Sequence, residues 1–280
     1  MDEKINQFGG PWTEDKIDIF IKYLNAYLDI MKKQNFKLVY FDGFAGSGEI
    51  ESDNYKTLIE GVVNKVLSIK HSKKFDIYYL VEKNPSNARK LRNLRNEKYS
   101  HINEVHIVEE DCNIKLISFS NYLKKNPFIR ALAFIDPYGL EVNWNSISVF
   151  KELGVDMWIL IPTGGANRML TNDGIIKESW MKKLSLFLGL TKEEIKNYFY
   201  KTEDVETLFG SESLTTKESK AVNKVLELYK KQLKTVFKHV SKAYPLKNSK
   251  GSIMYHFLLA TNNPTGLKIA NDIIGKELTK

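Results

Sequence analysis

The feature that most constrains this chain is a recurrence of short apolar-rich runs, most of them ending in a turn that carries an acid, with a helix-like stretch between one run and the next. The runs are KLVYF at 37–41, IYYLV at 77–81, VHIV at 105–108, ALAFI at 131–135 and MWILI at 157–161. They are too short for helices and lack the alternation of a half-exposed strand, so they predict strands buried on both faces of a parallel sheet. The stretches 85–96, 114–125 and 145–153 read as the connecting helices. Repeated strand-helix-strand units, whose crossovers are right-handed, predict an α/β, doubly wound, Rossmann-like sheet with helices on both faces.

The flanks complete the pattern. Residues 13–33 place Ile17, Phe20, Tyr23, Leu24, Tyr27, Leu28 and Met31 at three- and four-residue steps, the stripe of an amphipathic helix, with Thr13 as its expected N-cap. Residues 216–236 predict a long helix, and 265–278 a last one. Between them, the runs 237–246 and 252–261 are joined by Lys247-Asn248-Ser249-Lys250-Gly251, a short polar connector that predicts an antiparallel hairpin. Five parallel strands finished by such a hairpin make the architecture of class I methyltransferases rather than of dinucleotide-dependent dehydrogenases. The chain then divides into an N-terminal helical extension (1–36), a core (37–162 and 215–280) and a helical insertion (163–214) expected over the active site, at the carboxyl ends of the strands.

Composition narrows the chemistry. Cys112 is the single cysteine, which excludes an intramolecular disulfide and a cysteine-based zinc site, and no two of the five histidines stand at i, i+4, so no metal is expected. Forty-two Lys and Arg against 34 Asp and Glu give a net charge of +8, which favours a polyanionic partner such as RNA or DNA; lysine-rich compositions also serve solubility. No run approaches the ~18 apolar residues of a membrane span, and the amino terminus lacks a signal-peptide pattern. A cytoplasmic protein with no membrane partner is expected.

Ligands of open α/β sheets lie just beyond the strand ends, so the turns there are the candidate site. After the first run comes Asp42-Gly43-Phe44-Ala45-Gly46-Ser47-Gly48, in which Gly46 and Gly48 let backbone approach a ligand and Asp42 offers an acceptor to an ammonium group. Glycines also serve tight turns, but Glu51 stands where the dinucleotide fingerprint has its third glycine, and a carboxylate there would repel a pyrophosphate. The ligand expected is one without phosphate. Glu82 follows the second run, where an acid binds paired ribose hydroxyls. Asp111 follows the third and can accept from an adenine amino group while the Cys112 amide donates to a ring nitrogen; capping the next helix is the other use of Asp111. Phe44 and Ala45 complete the predicted pocket for S-adenosylmethionine. Asp136-Pro137-Tyr138-Gly139 follows the fourth run: an acceptor, a carbonyl and a ring face in a rigid turn, suited to orient an exocyclic amine on a stacked base. Arg168, after the fifth run, could meet a substrate phosphate or pair with an acid.

With these motifs in place, the chain resembles the three-Cys-motif partner family of methyltransferase-like proteins. The resemblance is carried by Gly10-Pro11-Trp12-Thr13 with Lys16, by YFDGFAGSG and FIDPYGL, and by HFLLATNNPTGLKI at 256–269. It implies a class I fold, S-adenosylmethionine binding and a separately encoded partner with three cysteines. The chain departs from the family at Glu60-Gly61-Val62-Val63, where a Gly-Ser-Pro-like or Gly-Ser-Ala-like turn is expected. The Asp-Pro-Tyr-Gly turn is similar to the Asp-Pro-Phe-Gly of tRNA guanine-N2 dimethyltransferases, which implies a nucleobase amine as methyl acceptor. A protein or small-molecule acceptor, and a non-catalytic cofactor-binding scaffold, are the alternative functions.

Overall fold

The computed structural model describes residues 12–51, 58–207 and 210–279. Gly10 and Pro11 of the family resemblance lie outside the described residues. The elements run α1 (Trp12–Met31), β1 (Lys37–Asp42), β2 (Glu49–Glu51), β3 (Leu58–Glu60), α2 (Val62–Leu67), β4 (Ile77–Val81), α3 (Pro85–Lys98), β5 (Val105–Val108), α4 (Cys112–Lys125), β6 (Ile129–Ile135), α5 (Trp144–Ser148) and β7 (Val155–Ile161). They continue as α6 (Thr163–Met169), α7 (Glu178–Leu188), α8 (Lys192–Phe199), β8 (Tyr200–Thr207), β9 (Gly210–Lys217), α9 (Ala221–Val236), β10 (His239–Val240), β11 (Tyr244–Lys247), β12 (Ile253–Thr261) and α10 (Pro264–Leu278).

The main sheet has the order β10-β12-β7-β6-β1-β4-β5, with β11 also on β12. The pairs among β1, β4, β5, β6 and β7 are parallel, and β12 runs antiparallel to β7, β10 and β11. This is the Rossmann-like fold of class I methyltransferases, as the apolar runs and the terminal hairpin predict. The chain leaves β1 toward β4 on one side and returns to β6 on the other, so the topological switch point lies between β1 and β6.

Each strand feeds both layers through its alternation. Val39 and Phe41 face a core built from α4, α5, α9 and the helices after β7, whereas Leu38 and Tyr40 face α1, α2, α3 and α10. The stripe predicted for residues 13–33 is the buried face of α1, from Ile17 to Met31. Tyr23 on that helix donates to the fully buried Asp156 of β7 at 2.6 Å, and Thr261 of β12 also donates to it. Asn263 caps α10 by accepting from the Thr265 amide, Pro264 takes its first position, and a Cβ on Gly266 would stand 2.7 Å from the Tyr23 hydroxyl. The Asn-Pro-x-Gly motif therefore works here as a helix start packed against α1.

Three expectations change. Thr13 lies inside the first turn of α1, which begins at Trp12, so it is not the N-cap; it is buried at the edge of a cavity described below. The long C-terminal run breaks into β10 and β11 because the Ser241 hydroxyl takes the Leu259 amide that a continuous ladder would use. The insertion is not wholly helical: α6, α7 and α8 are followed by the β8–β9 hairpin, and the helix expected from 216 starts at Ala221. The hairpin's strands, YKTEDVET and GSESLTTK, lack an apolar alternation, which leaves no periodic signal in the sequence. Its Lys217 ammonium donates to the Leu170 carbonyl at 2.7 Å, closing the C-terminal end of α6. Among the described residues no helix is long and apolar enough to cross a membrane.

Candidate functional site

A cavity of about 1480 Å³ opens at the carboxyl ends of the parallel strands, over the switch point. The strand ends bring to it Gly43, Phe44 and Gly46 after β1, Glu82 after β4, Asp111 and Cys112 after β5, and Asp136, Pro137 and Tyr138 after β6. Arg168 of α6 also lines it. Most of the predicted set is thus collected in one place.

The turn after β1 is built by its own hydrogen bonds. Gly46 has φ +64 and Gly48 φ +82, left-handed backbone that favours glycine at both places. They serve differently. Gly46 borders the cavity, and a Cβ built on it meets nothing within 4 Å, whereas one on Gly48 would lie 2.4 Å from Leu94 of α3. Gly48 is therefore a packing glycine, and its carbonyl accepts from the amide of Gly61 at 3.1 Å. The departure at Glu60-Gly61-Val62-Val63 thus props the turn: Gly61 supplies that donor, and Val62 and Val63 are buried in the core.

Asp42 corrects the sequence reading. Two residues on from Tyr40, its side chain falls on the same face, fully buried, and does not border the cavity. It accepts from the Tyr40 hydroxyl at 2.8 Å and the Phe44 amide at 3.0 Å, so it shapes the turn rather than meeting a ligand's ammonium group. Ala45 likewise lies outside the cavity lining, its amide donating to the Val81 carbonyl.

Burial pushes the Asp42 carboxyl up to about 7, against the Phe44 amide and Tyr40 hydroxyl that pull it down. The folded state therefore holds this proton more tightly than the unfolded chain, where the carboxyl titrates near about 4. The stability that this contributes is complete below about pH 4 and is lost as pH rises through the folded value of about 7. Asp42→Asn removes the titration and keeps an acceptor for the Phe44 amide. Chemical denaturation at several pH values should show wild type losing a few kcal/mol relative to the variant between about pH 4 and pH 7, at about 1.4 kcal/mol per unit. A constant difference would mean that Asp42 is ionised throughout.

Glu82 ties two turns together: one carboxylate oxygen accepts from the Gly46 amide at 2.8 Å and the other from the Asn84 amide at 2.7 Å. Each oxygen retains a lone pair for the cavity. Asp111 caps α4 through the Asn113 amide at 2.9 Å and pairs with Lys83 at 3.0 Å. Burial works to raise its carboxyl, but the Lys83 and Asn113 hydrogen bonds outweigh it and hold the group below the usual carboxylate range. Cys112 is the first residue of α4, where backbone amides have no partner within the helix. Its thiol is buried against Gly43, whose Cβ would lie 2.7 Å from the sulfur.

Sequence reasoning missed the partner of Asp136. Lys16, delivered by α1 from 120 residues away, donates to an Asp136 carboxylate oxygen at 2.5 Å, with its side chain only 10% exposed. Pro137 is buried, and Tyr255 of β12 donates to the Tyr138 carbonyl at 3.0 Å, so both ends of this turn are fixed while Tyr138 is 57% exposed. Asn113 joins this turn to the one after β5: its amide nitrogen donates to the Glu141 carbonyl at 2.9 Å and its oxygen accepts from the Asn143 amide at 2.8 Å. Trp180 and Lys183 of α7 also border the cavity and were not singled out, because only the packing of α7 onto the core brings them there. Arg168 makes no ion pair with a carboxylate among the described residues. No group of three or more His, Cys, Asp or Glu side chains among the described residues is placed to hold a metal ion.

No protein-family model matches the chain, and no curated protein matches its sequence. Among solved structures, protein LPL1258 of Legionella pneumophila, of the family model DUF519, aligns with a TM-score of 0.51 and 13% identity over 97% of this chain and 93% of that one. The plantazolicin methyltransferase BamL, solved with a triazolic desmethylPZN analog and SAH, aligns with a TM-score of 0.37 and 12% identity over 90% of this chain and 86% of that one. The second likeness is too distant to carry an argument. The first shows that this chain shares its α/β fold with the Legionella protein, and the chemistry must be argued from the cavity itself.

Proposed function

We propose that this chain is an S-adenosylmethionine-dependent methyltransferase that modifies a nitrogen of a nucleic-acid base. One observation supports the reading: the strand-end turns and α7 bring carboxylates, cations and ring faces to one cavity. Glu82 and Asp111 border it, as do Arg168, Lys183, Tyr138 and Trp180, with Lys83, which pairs with Asp111 at 3.0 Å, and Glu141 also in its lining. Carboxylates suit a cationic ligand without phosphate, and cations with ring faces suit a nucleotide.

The residues present fit the cofactor. The backbone at Gly43 runs against Cys112 with no room for a side chain, and Gly46 exposes bare left-handed backbone to the cavity. Glu82 would take the paired ribose hydroxyls, and Asp111 with the Cys112 amide an adenine edge. When bound, S-adenosylmethionine supplies a methyl group on a positively charged sulfonium. The chain's part is orientation: the Asp136 carboxylate and the Pro137 carbonyl accept the hydrogens of the base amine and aim its lone pair across the cavity. Tyr138 offers its ring for stacking, and Lys16 fixes the carboxylate in place.

The proposal also includes a cytoplasmic location and, from the sequence resemblance, a separate three-cysteine protein partner; Thr13 and Lys16 of the resembling segment border the cavity, which supports its being functional. The test is transfer of labelled methyl from S-adenosylmethionine to RNA, DNA and protein across a salt series. Incorporation into nucleic acid that falls steeply with salt is expected. Salt-insensitive transfer to protein or a small molecule would overturn the acceptor class, and no cofactor binding by the folded protein would overturn the whole reading.

A further inference from the structure

Helix α7 belongs to the insertion rather than to the sheet, yet one flank of it forms part of the cavity wall. Met181, Leu184, Phe187 and Leu188 anchor the helix in the core, and Gly189, with φ +63, ends it. Trp180 and Lys183, one turn apart, border the cavity on the adjacent flank, followed by Leu186, which is 44% exposed. The Lys177 ammonium lies 5.3 Å from the centre of the Trp180 ring. Lys183 and Arg168 make no ion pair with a carboxylate among the described residues, although Glu82, Asp111 and Glu141 border the same cavity. A half-buried tryptophan and two such cations bordering one large cavity have the composition of a single-strand nucleic-acid platform: a ring for a base and charges for phosphates.

Resting on the proposed function, we infer that α7 is the substrate-recognition helix, with Trp180 stacking on a nucleotide next to the target base and Lys183 and Arg168 holding adjacent phosphates. The substrate is then an unpaired strand, because a base inside a duplex does not offer its face to Trp180. Residues 178–188 therefore select the substrate strand, while the turn at Asp136 addresses the target base.

The experiment is fluorescence anisotropy of short fluorescein-labelled single-stranded RNA and DNA, and of a blunt duplex, across a salt series. It uses the full chain with S-adenosylmethionine affinity as the control for folding. Trp180→Ala should weaken single-strand binding about tenfold at every salt concentration, since a lost stack carries no charge. Lys183→Ala and Arg168→Ala should each lower the slope of log affinity against log salt by about 1, a signature that a merely structural role would not produce. If wild type binds single strands and all three variants bind with the same affinity and slope, or the duplex binds as tightly, the role of α7 is overturned while the nucleic-acid reading stands. If wild type binds neither RNA nor DNA while retaining the cofactor, the nucleic-acid reading fails and takes this inference with it.

Discussion

Asp136→Ala is expected to lower kcat for methyl transfer by about 10²- to 10³-fold, some 3–4 kcal/mol, while the affinity for S-adenosylmethionine stays at the wild-type value. The wall proposed for the cofactor, at Gly46, Glu82 and Asp111, shares no hydrogen bond with Asp136 among those of the described residues. What the substitution removes is an oriented acceptor at the carboxyl end of β6, where the proposed base amine must be aimed. It also leaves Lys16, its side chain only 10% exposed, without its carboxylate, and a nearly buried cation that loses its partner costs about 3–5 kcal/mol of stability. Thermal unfolding should register that loss separately from the rate. Asp136→Asn keeps an acceptor oxygen but not the ion pair, so its rate should fall between the two. Calorimetric titration alongside single-turnover transfer checks both halves, and near-normal turnover in the alanine variant would remove Asp136 from the chemistry.

How much of this was legible in the sequence depends on whether the signal was local. The runs at 37–41, 77–81, 131–135 and 157–161 are strands, because burial on both faces demands uninterrupted apolar residues; β4 matches its run, β1 adds Asp42, and β6 and β7 each begin two residues earlier. The hairpins β2–β3 and β8–β9 pair away from the main sheet and carry acids and threonines, so no periodicity marked them. The segment expected as a helix at 145–153 shortens to Trp144–Ser148, ending in turns through Glu152, which holds φ +65. Of the expected site residues, those placed by their position after a strand, such as Glu82, Asp111 and Asp136, border the cavity. Asp42 was misassigned although strand alternation alone, pairing it with Tyr40, was enough to place it. Lys16, Trp180 and Lys183 reach the cavity only through the packing of α1 and α7, which no local pattern encodes.

Glu82→Gln is where two roles meet, the ribose acceptor proposed from the sequence and the brace between two turns that the structure shows. The sequence marks an acid for ribose hydroxyls; the structure shows the same carboxylate already holding the Gly46 and Asn84 amides, one on each oxygen. Glutamine has one acceptor oxygen, so either Gly46 or Asn84 must face an amide NH2, donor against donor. A hydrogen bond to a charged group contributes about 1.5–3 kcal/mol, so the variant should lose about that much stability. Because Gly46 is the residue whose bare backbone borders the cavity, the loss moves the wall that would receive the cofactor. The affinity for S-adenosylmethionine should then fall about 10²-fold, through displaced backbone and a weakened ribose acceptor together. Calorimetric titration and denaturant unfolding separate the cases: loss of both is the expected result. Loss of stability with unchanged affinity would make Glu82 a brace for the turn and nothing more, and the proposed cofactor orientation would have to be rebuilt around Asp111 alone.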